Sequence, residues 1–364
     1  MSAVSFEGFR GIVCDLDGVV YRGPHAIPHA VAALERVRAG GVDLVYATNN
    51  GSRTPQDVAA HLTELGLTVS ARSVLTSAQA AAALLRDRLG VGAPILGVGG
   101  PGVAYALAEA GLTRVTTAES AGGAAVAGVL QSYGPEVAWT DLAEIAHVVN
   151  GGALWVASNG DLTLPTARGI APGNGSLVQV VRVAVTVDPV VVGKPHTPLY
   201  ELSAAALDLH PGQTLAIGDR LDTDIEGANR AGIPALMVLT GVNSVADVAM
   251  APPIQRPTFL CEDLRGLAEP YVAATIDADG HAWLGRCGPA EVRVAGGQVG
   301  IAAAGSAIER ARALVAACWA AADAGAAPPR EAVDRAVGAA ADSADARPVD
   351  SAGAIGGASR GTTS

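Results

Sequence analysis

Long apolar runs, basic clusters and cysteine pairs are all missing from this 364-residue sequence. No stretch of about 18 uninterrupted apolar residues occurs, so the sequence predicts no membrane-spanning helix. The first residues lack a basic region followed by a long apolar core, and we therefore expect no signal peptide. The chain has 24 basic and 35 acidic residues, a net charge of −11, and no run of lysine or arginine. This balance argues against nucleic acid and anionic membrane surfaces as partners.

Cysteine and aromatic residues are also scarce. The four cysteines are scattered, with no CxxC pair, which argues against zinc and against disulfides. Cys14 lies in an apolar run and is expected to be a small buried side chain, and a reducing cytoplasm is the expected compartment. Aromatic residues make up only 4% of the chain, whereas half of it is hydrophobic. The core must therefore be built from alanine, valine and leucine, and we see no aromatic cluster to stack a base or a pyridine ring.

An apolar run at residues 12–14 ends in two aspartates, Asp15 and Asp17, followed by Gly18. A short apolar run bounded by turn residues is typical of a buried parallel strand, and ligands bind at the carboxyl ends of such strands. Two carboxylates at that edge are costly unless they meet a cation or a hydrogen-bond donor. The pattern favours a divalent metal, Mg²⁺, and one carboxylate is a candidate nucleophile. The alternative is an ordinary Asp-Gly turn after a strand.

Strands and helices alternate on both sides of an insertion. Apolar residues at helical spacing predict helices over 28–40 and 54–66, each stopped by glycine, with a strand over 42–47 between them. This order begins a doubly wound parallel sheet, and it resumes near residue 190. The segment between, residues 78–189, carries the pattern of a second small α/β unit.

Changes in composition set the expected domain boundaries. Beyond residue 270 the sequence predicts short strands and then a helix over 305–324. The last residues are alanine, glycine, serine, aspartate and threonine, too few of them bulky and apolar to offset the entropy of ordering. The expected units are a sheet domain at 1–77 and 190–270, the insertion at 78–189, a small C-terminal α+β extension at 271–338 and a disordered tail at 339–364.

Polar residues follow four predicted strands at one edge of the sheet. They are Asp15 and Asp17, then Thr48, Asn49 and Asn50, then Lys194, and finally Asp219 with Asp222 and Asp224. Each group meets one requirement of phosphoryl transfer, in which positioning and charge stabilisation dominate. Each group alone also fits a turn or a solvated charge, and Asp222 is expected to be solvated. The ordered occurrence of all four at strand ends favours phosphoryl transfer.

The acidic residues divide into a catalytic pair and a metal group. Asp15 is the candidate nucleophile, which would form an aspartyl-phosphate and split hydrolysis into two steps. Asp17 is the candidate general acid and base. Asp219 is expected to complete a Mg²⁺ site with Asp15 and the backbone carbonyl of Asp17, and Asp224 to orient metal-bound water.

The remaining residues of the set are expected to bind the phosphate. Thr48 and the segment after it, Asn49 and Asn50, offer uncharged donors to phosphoryl oxygens. Lys194 offers a positive charge that offsets the nucleophile and the phosphate. In the insertion, Arg168 is a candidate contact to substrate or to a second protomer, or else a solvated loop arginine.

The motifs at these strand ends together resemble the haloacid dehalogenase superfamily of phosphatases. The motifs are DLDGVVYRG (15–23), ATNNGS (47–52), VGKP (192–195) and GDRLDTDIEGA (218–228). The large insertion resembles the cap of the nitrophenylphosphatase and phosphoglycolate phosphatase subfamily. The resemblance implies a Rossmann-like core, Mg²⁺ dependence, an aspartyl-phosphate intermediate and a mobile cap through which members often dimerise.

Within that subfamily the sequence is most similar to actinobacterial glycerol-3-phosphate phosphatases. The similar stretches include residues 76–85, 152–178 and 218–244. The resemblance implies a small phosphorylated metabolite as substrate, glycerol 3-phosphate first. Those enzymes carry a C-terminal extension, and the region at 271–338 shows no clear acyl-CoA-binding loop, which favours a structural or partner-binding role for it.

Other functions stay open at this point. Phosphoglycolate, pyridoxal phosphate or a nucleoside monophosphate would be hydrolysed by the same core with a different cap. Dehalogenases of the superfamily use no metal and do not need the second aspartate, so Asp17 and Asp219 argue against them. A non-catalytic binding protein would be expected to have lost at least one core residue, and none is lost.

Overall fold

The computed structural model describes residues 6–122, 125–166 and 168–345. The first part alternates strands and helices, and helix α2 within it begins at a reciprocal cap between Thr54 and Asp57. Its elements are β1 (Gly11–Cys14), β2 (Tyr21–Arg22), β3 (His25–Ala26), α1 (Ala30–Ala39), β4 (Asp43–Thr48), α2 (Pro55–Glu64) and β5 (Val74–Thr76).

The inserted unit, called the cap below, begins directly after β5. Its elements are α3 (Ser77–Leu89), β6 (Pro94–Val98), α4 (Pro101–Glu109), β7 (Thr113–Val115), β8 (Gly128–Gln131), α5 (Trp139–Asn150), β9 (Leu154–Ala157), β10 (Thr163–Thr166), β11 (Gly169–Pro172), α6 (Asn174–Arg182) and β12 (Val190–Val191). Five strands form a parallel sheet in the order β12-β9-β8-β6-β7. The cap thus has its own sheet and its own apolar core.

The chain then returns to the first sheet. The returning elements are α7 (Pro198–Leu207), β13 (Thr214–Gly218), a π-helical turn (Leu221–Ile225), α8 (Glu226–Arg230), β14 (Ala235–Val238), α9 (Val245–Ala249) and β15 (Phe259–Cys261). The six-stranded core sheet has the order β15-β14-β13-β1-β4-β5, and every pairing in it is parallel. The prediction of a Rossmann-like α/β core is confirmed.

Strand β1 lies at the centre of this sheet and is buried on both faces. Ile12 and Cys14 pack into one apolar layer, and Val13 packs into the other. Alternate side chains of a strand point to opposite faces, so a strand between two helical layers must be apolar throughout. Because β1 is buried on both faces, its position is rigid. The residues that directly follow it, beginning with Asp15, are therefore held in place as well.

The structure differs from the sequence prediction at three local elements. Val190–Val191 is predicted to return to the core, which is wrong: it pairs with β9 at the edge of the cap sheet. An apolar pattern of this length does not specify which of two sheets a strand joins. Val74–Thr76 is a core strand that is too short to give a periodic signal. Strands β10 and β11 form an antiparallel hairpin that the sequence does not predict, because its glycine and prolines resemble loop composition.

The C-terminal extension is an antiparallel sheet covered by one helix. Its elements are β16 (Thr275–Asp279), β17 (Ala282–Cys287), β18 (Ala290–Ala295), β19 (Gln298–Ala303), α10 (Ala307–Asp323) and α11 (Arg330–Asp345). The small residues Ala313 and Ala317 let α10 approach β17 closely at Gly285. No helix in the described ranges is both long and apolar enough to cross a membrane.

Helix α11 extends past the predicted start of the disordered tail. The prediction of disorder from residue 339 is therefore wrong for residues 339–345. Arg330 forms ion pairs with Asp334 and with Asp247 of the core, and these anchor the first turn. Alanine has the highest helix propensity, so the alanine-rich sequence continues the helix once it has started. The rest of the predicted tail, 346–364, lies outside the described residues. The other domain boundaries stay a prediction.

Candidate active site

A cleft of about 490 Å³ separates the core sheet from the cap. Its core wall is formed by the residues that follow β1, β4 and β13, together with Lys194, which comes shortly after β12. Because parallel strands end at one edge, the residues that follow them converge there. All of the core residues predicted from the sequence except Asp222 line this cleft: Asp15, Asp17, Thr48, Asn49, Asn50, Lys194, Asp219 and Asp224.

Lys194 is the centre of the site's ion pairs. Its Nζ contacts Asp15 Oδ1, lies 2.7 Å from Asp224 Oδ1 and donates to the Ala47 carbonyl at 3.2 Å. The side chain is only 4% exposed. Burial alone would lower the pKa of Lys194, but the two carboxylates raise it well above its usual value. The lysine therefore stays charged and fixes both carboxylates on one side of the cleft.

Three carboxylates in the site, those of Asp15, Asp219 and Asp224, bring oxygen atoms within 4.8 Å of one another. Burial and the neighbouring Asp224 raise the pKa of Asp15 well above its usual value, although Lys194 opposes this. The same two causes raise the pKa of Asp219 to about 7. One lysine cannot balance this many buried carboxylates, so the site favours an additional cation.

Asp219 itself fits a metal ligand. Its Oδ2 accepts a hydrogen bond from the Val242 amide at 2.7 Å, while its Oδ1 is buried without a partner among the described residues. Gly18, with φ of +81°, and Gly241 approach so closely that a side chain at either position would occupy the carboxylate's space. An unpartnered carboxylate oxygen beside two further carboxylates suits a hard divalent cation such as Mg²⁺.

The structure places two residues of the predicted metal group differently from the sequence prediction. Asp224, predicted to act only through water, belongs to the three-carboxylate cluster, with one oxygen on Lys194 and the other accepting from the Arg220 amide at 3.1 Å. The Asp17 side chain stands outside the cluster and is exposed to the cleft. Burial by surrounding groups nevertheless raises its pKa, which favours a carboxyl group that exchanges protons.

The segment after β4 is held by side chains as well as by backbone. Lys194 donates its amide to Asn49 Oδ1 at 2.8 Å, and Asn49 Nδ2 donates back to the Lys194 carbonyl at 3.0 Å. Thr48 Oγ1 accepts from the Asn50 amide, and Asn50 Oδ1 accepts from the Ser52 amide. The Asn49 side chain therefore positions Lys194, and direct phosphate contact by Asn49 and Asn50 stays a prediction.

Arg168 does not line the cleft. It lies exposed at the turn between β10 and β11, where its backbone amide donates to Thr166 Oγ1 at 3.2 Å. Asp222 is exposed, as expected, and pairs with Arg220. The structure thus places Arg168 outside the cleft lining, and its contact with a second protomer stays a prediction.

The sequence reasoning missed the cap residues that meet the core. Asp161 Oδ2 accepts from Asn49 Nδ2 at 3.1 Å, and Asn159 Nδ2 donates to the Asn49 carbonyl at 2.7 Å. Both residues follow β9, at the carboxyl edge of the cap sheet. The same signal that identified the core site, polar residues directly after a buried strand, was present here in residues 158–161.

Comparisons with known proteins agree with this geometry. Family models for haloacid dehalogenase-like hydrolases match residues 12–113 and 191–267. The chain is 48% identical over 256 residues to the D-glycerol 3-phosphate phosphatase of Mycobacterium tuberculosis, covering 70% of each chain. It is 31% identical over 256 residues to a 5'-nucleotidase of Bacillus subtilis, covering 70% of this chain and 96% of the relative.

A solved structure extends the similarity to the C-terminal region. The glycerol phosphate phosphatase of Mycobacterium tuberculosis in complex with magnesium superposes with a TM-score of 0.79 and 39% identity. The match covers 92% of this chain and 99% of that one. With the ordered carboxylates and lysine at one sheet edge, these matches lead to one conclusion: the chain belongs to the haloacid dehalogenase-like hydrolases.

Proposed function

We propose that this chain hydrolyses glycerol 3-phosphate to glycerol and inorganic phosphate, with Mg²⁺ as its cofactor. The chain is a phosphoric monoester hydrolase of the family just named, and the proposal concerns its substrate and mechanism. The observation that supports it best is the contact of Lys194 with Asp15 and Asp224 at the mouth of a cleft that Asp17 also faces. A nucleophile, its counter-charge and a proton donor thus share one small volume.

The proposed reaction has two steps. Asp15 attacks phosphorus, the bond to the ester oxygen breaks, and Asp17 gives its proton to the leaving alkoxide. Asp17 then takes a proton from water, and that water attacks the aspartyl-phosphate, which releases phosphate and restores Asp15. Lys194, fixed by Asp224, offsets the negative charge of the phosphoryl group, and Thr48 is proposed to contact a phosphoryl oxygen.

Asp15 and Asp219 are proposed to hold the Mg²⁺ ion, with the Asp17 backbone carbonyl, and Asp224 lies against them. The buried, unpartnered Oδ1 of Asp219 supports this set. When bound, the ion supplies positive charge near the phosphoryl oxygens and balances the acidic cluster.

Two observations support glycerol 3-phosphate as the substrate. The relative that is 48% identical acts on D-glycerol 3-phosphate. The described cleft lining contains one aromatic residue, Tyr133, and so offers no pair of rings to stack a base or a pyridine. The 5'-nucleotidase relative makes nucleoside monophosphates the second candidate class. Phosphoglycolate and pyridoxal phosphate are the remaining candidate substrates.

Phosphate release across a panel of esters tests this proposal. The panel contains both enantiomers of glycerol 3-phosphate, phosphoglycolate, pyridoxal phosphate, sugar phosphates and nucleoside monophosphates, each with Mg²⁺ and with EDTA. We expect the highest kcat/KM for one glycerol 3-phosphate enantiomer, and loss of release in EDTA that added Mg²⁺ restores. Preference for another ester would contradict the assignment of glycerol 3-phosphate as the substrate. Phosphate release that persists in EDTA would contradict the assignment of Mg²⁺ as the cofactor.

We also propose a cytoplasmic homodimer that associates through the cap. Several apolar side chains of the cap are exposed, among them Val183 at 88%, Ile170 at 72% and Leu162 at 58%. All four cysteines are free and buried, which fits a reducing compartment. Light scattering on the purified chain tests the dimer, and replacing Val183 and Ile170 with serine is expected to give monomers.

A further inference from the structure

We propose that Asp161 selects the leaving group of the ester. Its free carboxylate oxygen accepts a hydrogen bond from a neutral hydroxyl group of the substrate, and its charge repels a second anionic group. This inference rests on the proposed phosphatase activity and assigns the selection to one side chain of the cap.

Asp161 lies in the same cleft as the proposed reacting groups. It follows β9 at the carboxyl edge of the cap sheet and lines the same cleft as Asp15 and Asp17. Its Oδ2 is fixed by Asn49, the residue that also holds the backbone of Lys194 on both sides. The carboxylate is therefore tied to the core site, although its own chain segment belongs to the cap.

One oxygen of Asp161 is left for the substrate. Oδ2 accepts from Asn49 at 3.1 Å, whereas Oδ1 has no hydrogen-bond partner among the described residues. Asp161 is half-buried and lines the cleft, so a bound substrate can reach its carboxylate. A hydroxyl donor from a polyol satisfies such an acceptor, whereas an anion leaves it unpaired.

The charges of the cap wall also favour a neutral leaving group over an anionic one. The described cap residues that line the cleft are Tyr133, Asn159, Asp161, Thr163, Leu164, Pro165, Gly173 and Asn174. Asp161 is the one charged residue among them, and none is basic. A carboxylate on the leaving group would therefore meet a like charge from the cap and no cation there to balance it.

The two arginines on the core wall already form hydrogen bonds within the protein. Arg220 forms two hydrogen bonds with Asp222, at 3.1 and 2.9 Å, and Arg22 donates to the Thr240 carbonyl at 2.7 Å. Burial raises the pKa of Asp161, and the hydrogen bond from Asn49 and the positive charge of Arg220 oppose this shift. Both arginines remain on the core wall, so the acidic character is confined to the described cap wall, where Asp161 is the charged residue.

The test compares three esters in the wild-type chain and in Asp161→Asn. Glycerol 3-phosphate carries hydroxyl groups, phosphoglycolate carries a carboxylate, and p-nitrophenyl phosphate carries neither and serves as the reference. The new side-chain amide still accepts from Asn49 through its oxygen, so the segment keeps its anchor. Relative to the reference ester, we expect kcat/KM for phosphoglycolate to rise and that for glycerol 3-phosphate to fall. Their ratio should change on the order of 10- to 100-fold.

Two further variants separate charge from structure. Asp161→Glu keeps the charge and is expected to keep the discrimination against phosphoglycolate. Asp87→Asn removes an exposed carboxylate of α3 outside the cleft and is expected to leave all three values unchanged.

The outcomes separate the two proposals. No release from any ester by the wild-type chain would overturn the proposed function, and this inference with it. Release by the wild-type chain with an unchanged ratio in Asp161→Asn would overturn the role of Asp161 alone. An equal loss for all three esters in Asp161→Asn would also overturn it, because that result indicates a structural role.

Discussion

At the residue scale, the site is a group of carboxylates organised by one buried lysine. Lys194 contacts Asp15 and Asp224 at once, so that removing either carboxylate changes the charge around the other. Asp15, the proposed nucleophile, thus depends on neighbours more than a hundred residues away in the chain. Two substitutions test this dependence.

Asp15→Asn is expected to abolish phosphate release, because a carboxamide cannot attack phosphorus. The fold should persist, since the amide oxygen can still accept from Lys194. Phosphate release and circular dichroism would be measured together. Asp222→Asn, at an exposed carboxylate beside the same loop, should keep near wild-type activity. Appreciable turnover by Asp15→Asn would remove Asp15 as the nucleophile.

The metal-free protein is expected to lose stability as pH rises from about 4 through 7. Burial and Asp224 raise the pKa of Asp219 to about 7, above its value in the unfolded chain. Between these values the folded state binds more protons than the unfolded state, so the free energy of unfolding falls with increasing pH.

Thermal melts in EDTA between pH 4.5 and 8 would measure this dependence. Asp219→Asn should show a shallower decline, because its amide does not titrate. Added Mg²⁺ should raise the melting temperature of the wild-type chain most at high pH, where protons no longer compete for Asp219. Equal slopes for the two chains would exclude Asp219 as the titrating group.

At the scale of elements, the sequence predicts the core better than the cap boundary. Strands β1, β4 and β13 are apolar runs ending in polar residues, and this pattern gave both the strands and the site. Val190–Val191 carries the same apolar signal, yet its sheet depends on contacts with β9 that no local pattern encodes. The hydrogen bond between Asn49 and Asp161 could not be predicted either, because it joins residues 112 positions apart that follow strands of two different sheets.

The beginning of α4 packs against the segment after β4 that is proposed to bind the phosphate. Gly102 donates its amide to the Ser52 carbonyl, and a Cβ at Gly102 would lie 2.5 Å from the Gly51 carbonyl oxygen. Gly102→Ala is therefore expected to cost about 1–3 kcal/mol and to lower kcat, because the segment after Thr48 must shift. Chemical denaturation and phosphate release would measure both effects.

Gly212→Ala is the matched control, since a Cβ at Gly212 meets no atom within 4 Å. It should leave both the free energy of unfolding and kcat close to the wild-type values. A Gly102→Ala chain that behaves like this control would show that α4 does not support the segment.

At the scale of the whole molecule, the C-terminal extension is fastened to the edge of the core. Arg312 of α10 donates to the Leu260 carbonyl at 2.9 Å and to the Val272 carbonyl at 3.3 Å, and its guanidinium lies 4.0 Å from the centre of the Tyr271 ring. Trp319 Nε1 donates to the Val248 carbonyl at 2.8 Å. No described residue of the extension lines the cleft.

Arg312→Ala is therefore expected to lower stability without changing the chemistry. Loss of two hydrogen bonds from a charged donor should cost about 2–4 kcal/mol in the free energy of unfolding. At a temperature where the variant is folded, kcat should match that of the wild-type chain. Arg293→Ala, at an exposed position of β18, should leave stability within about 0.5 kcal/mol. A selective loss of kcat in Arg312→Ala would instead connect the extension to the active site.

Strand β12, which the sequence pattern assigned to the core sheet, limits how the cap can move relative to the core. Only Val192 and Gly193 separate β12 from Lys194, so the Cα atoms of Val191 and Lys194 are at most about 11 Å apart. At the other crossing, α3 follows β5 with no intervening residue. If the cap opens, we expect it to pivot about these two short connections, with β7, at the opposite edge of the cap sheet from β12, moving farthest. Lys194 lies directly after one of these tethers, so we expect even a wide opening of the cleft to displace it little.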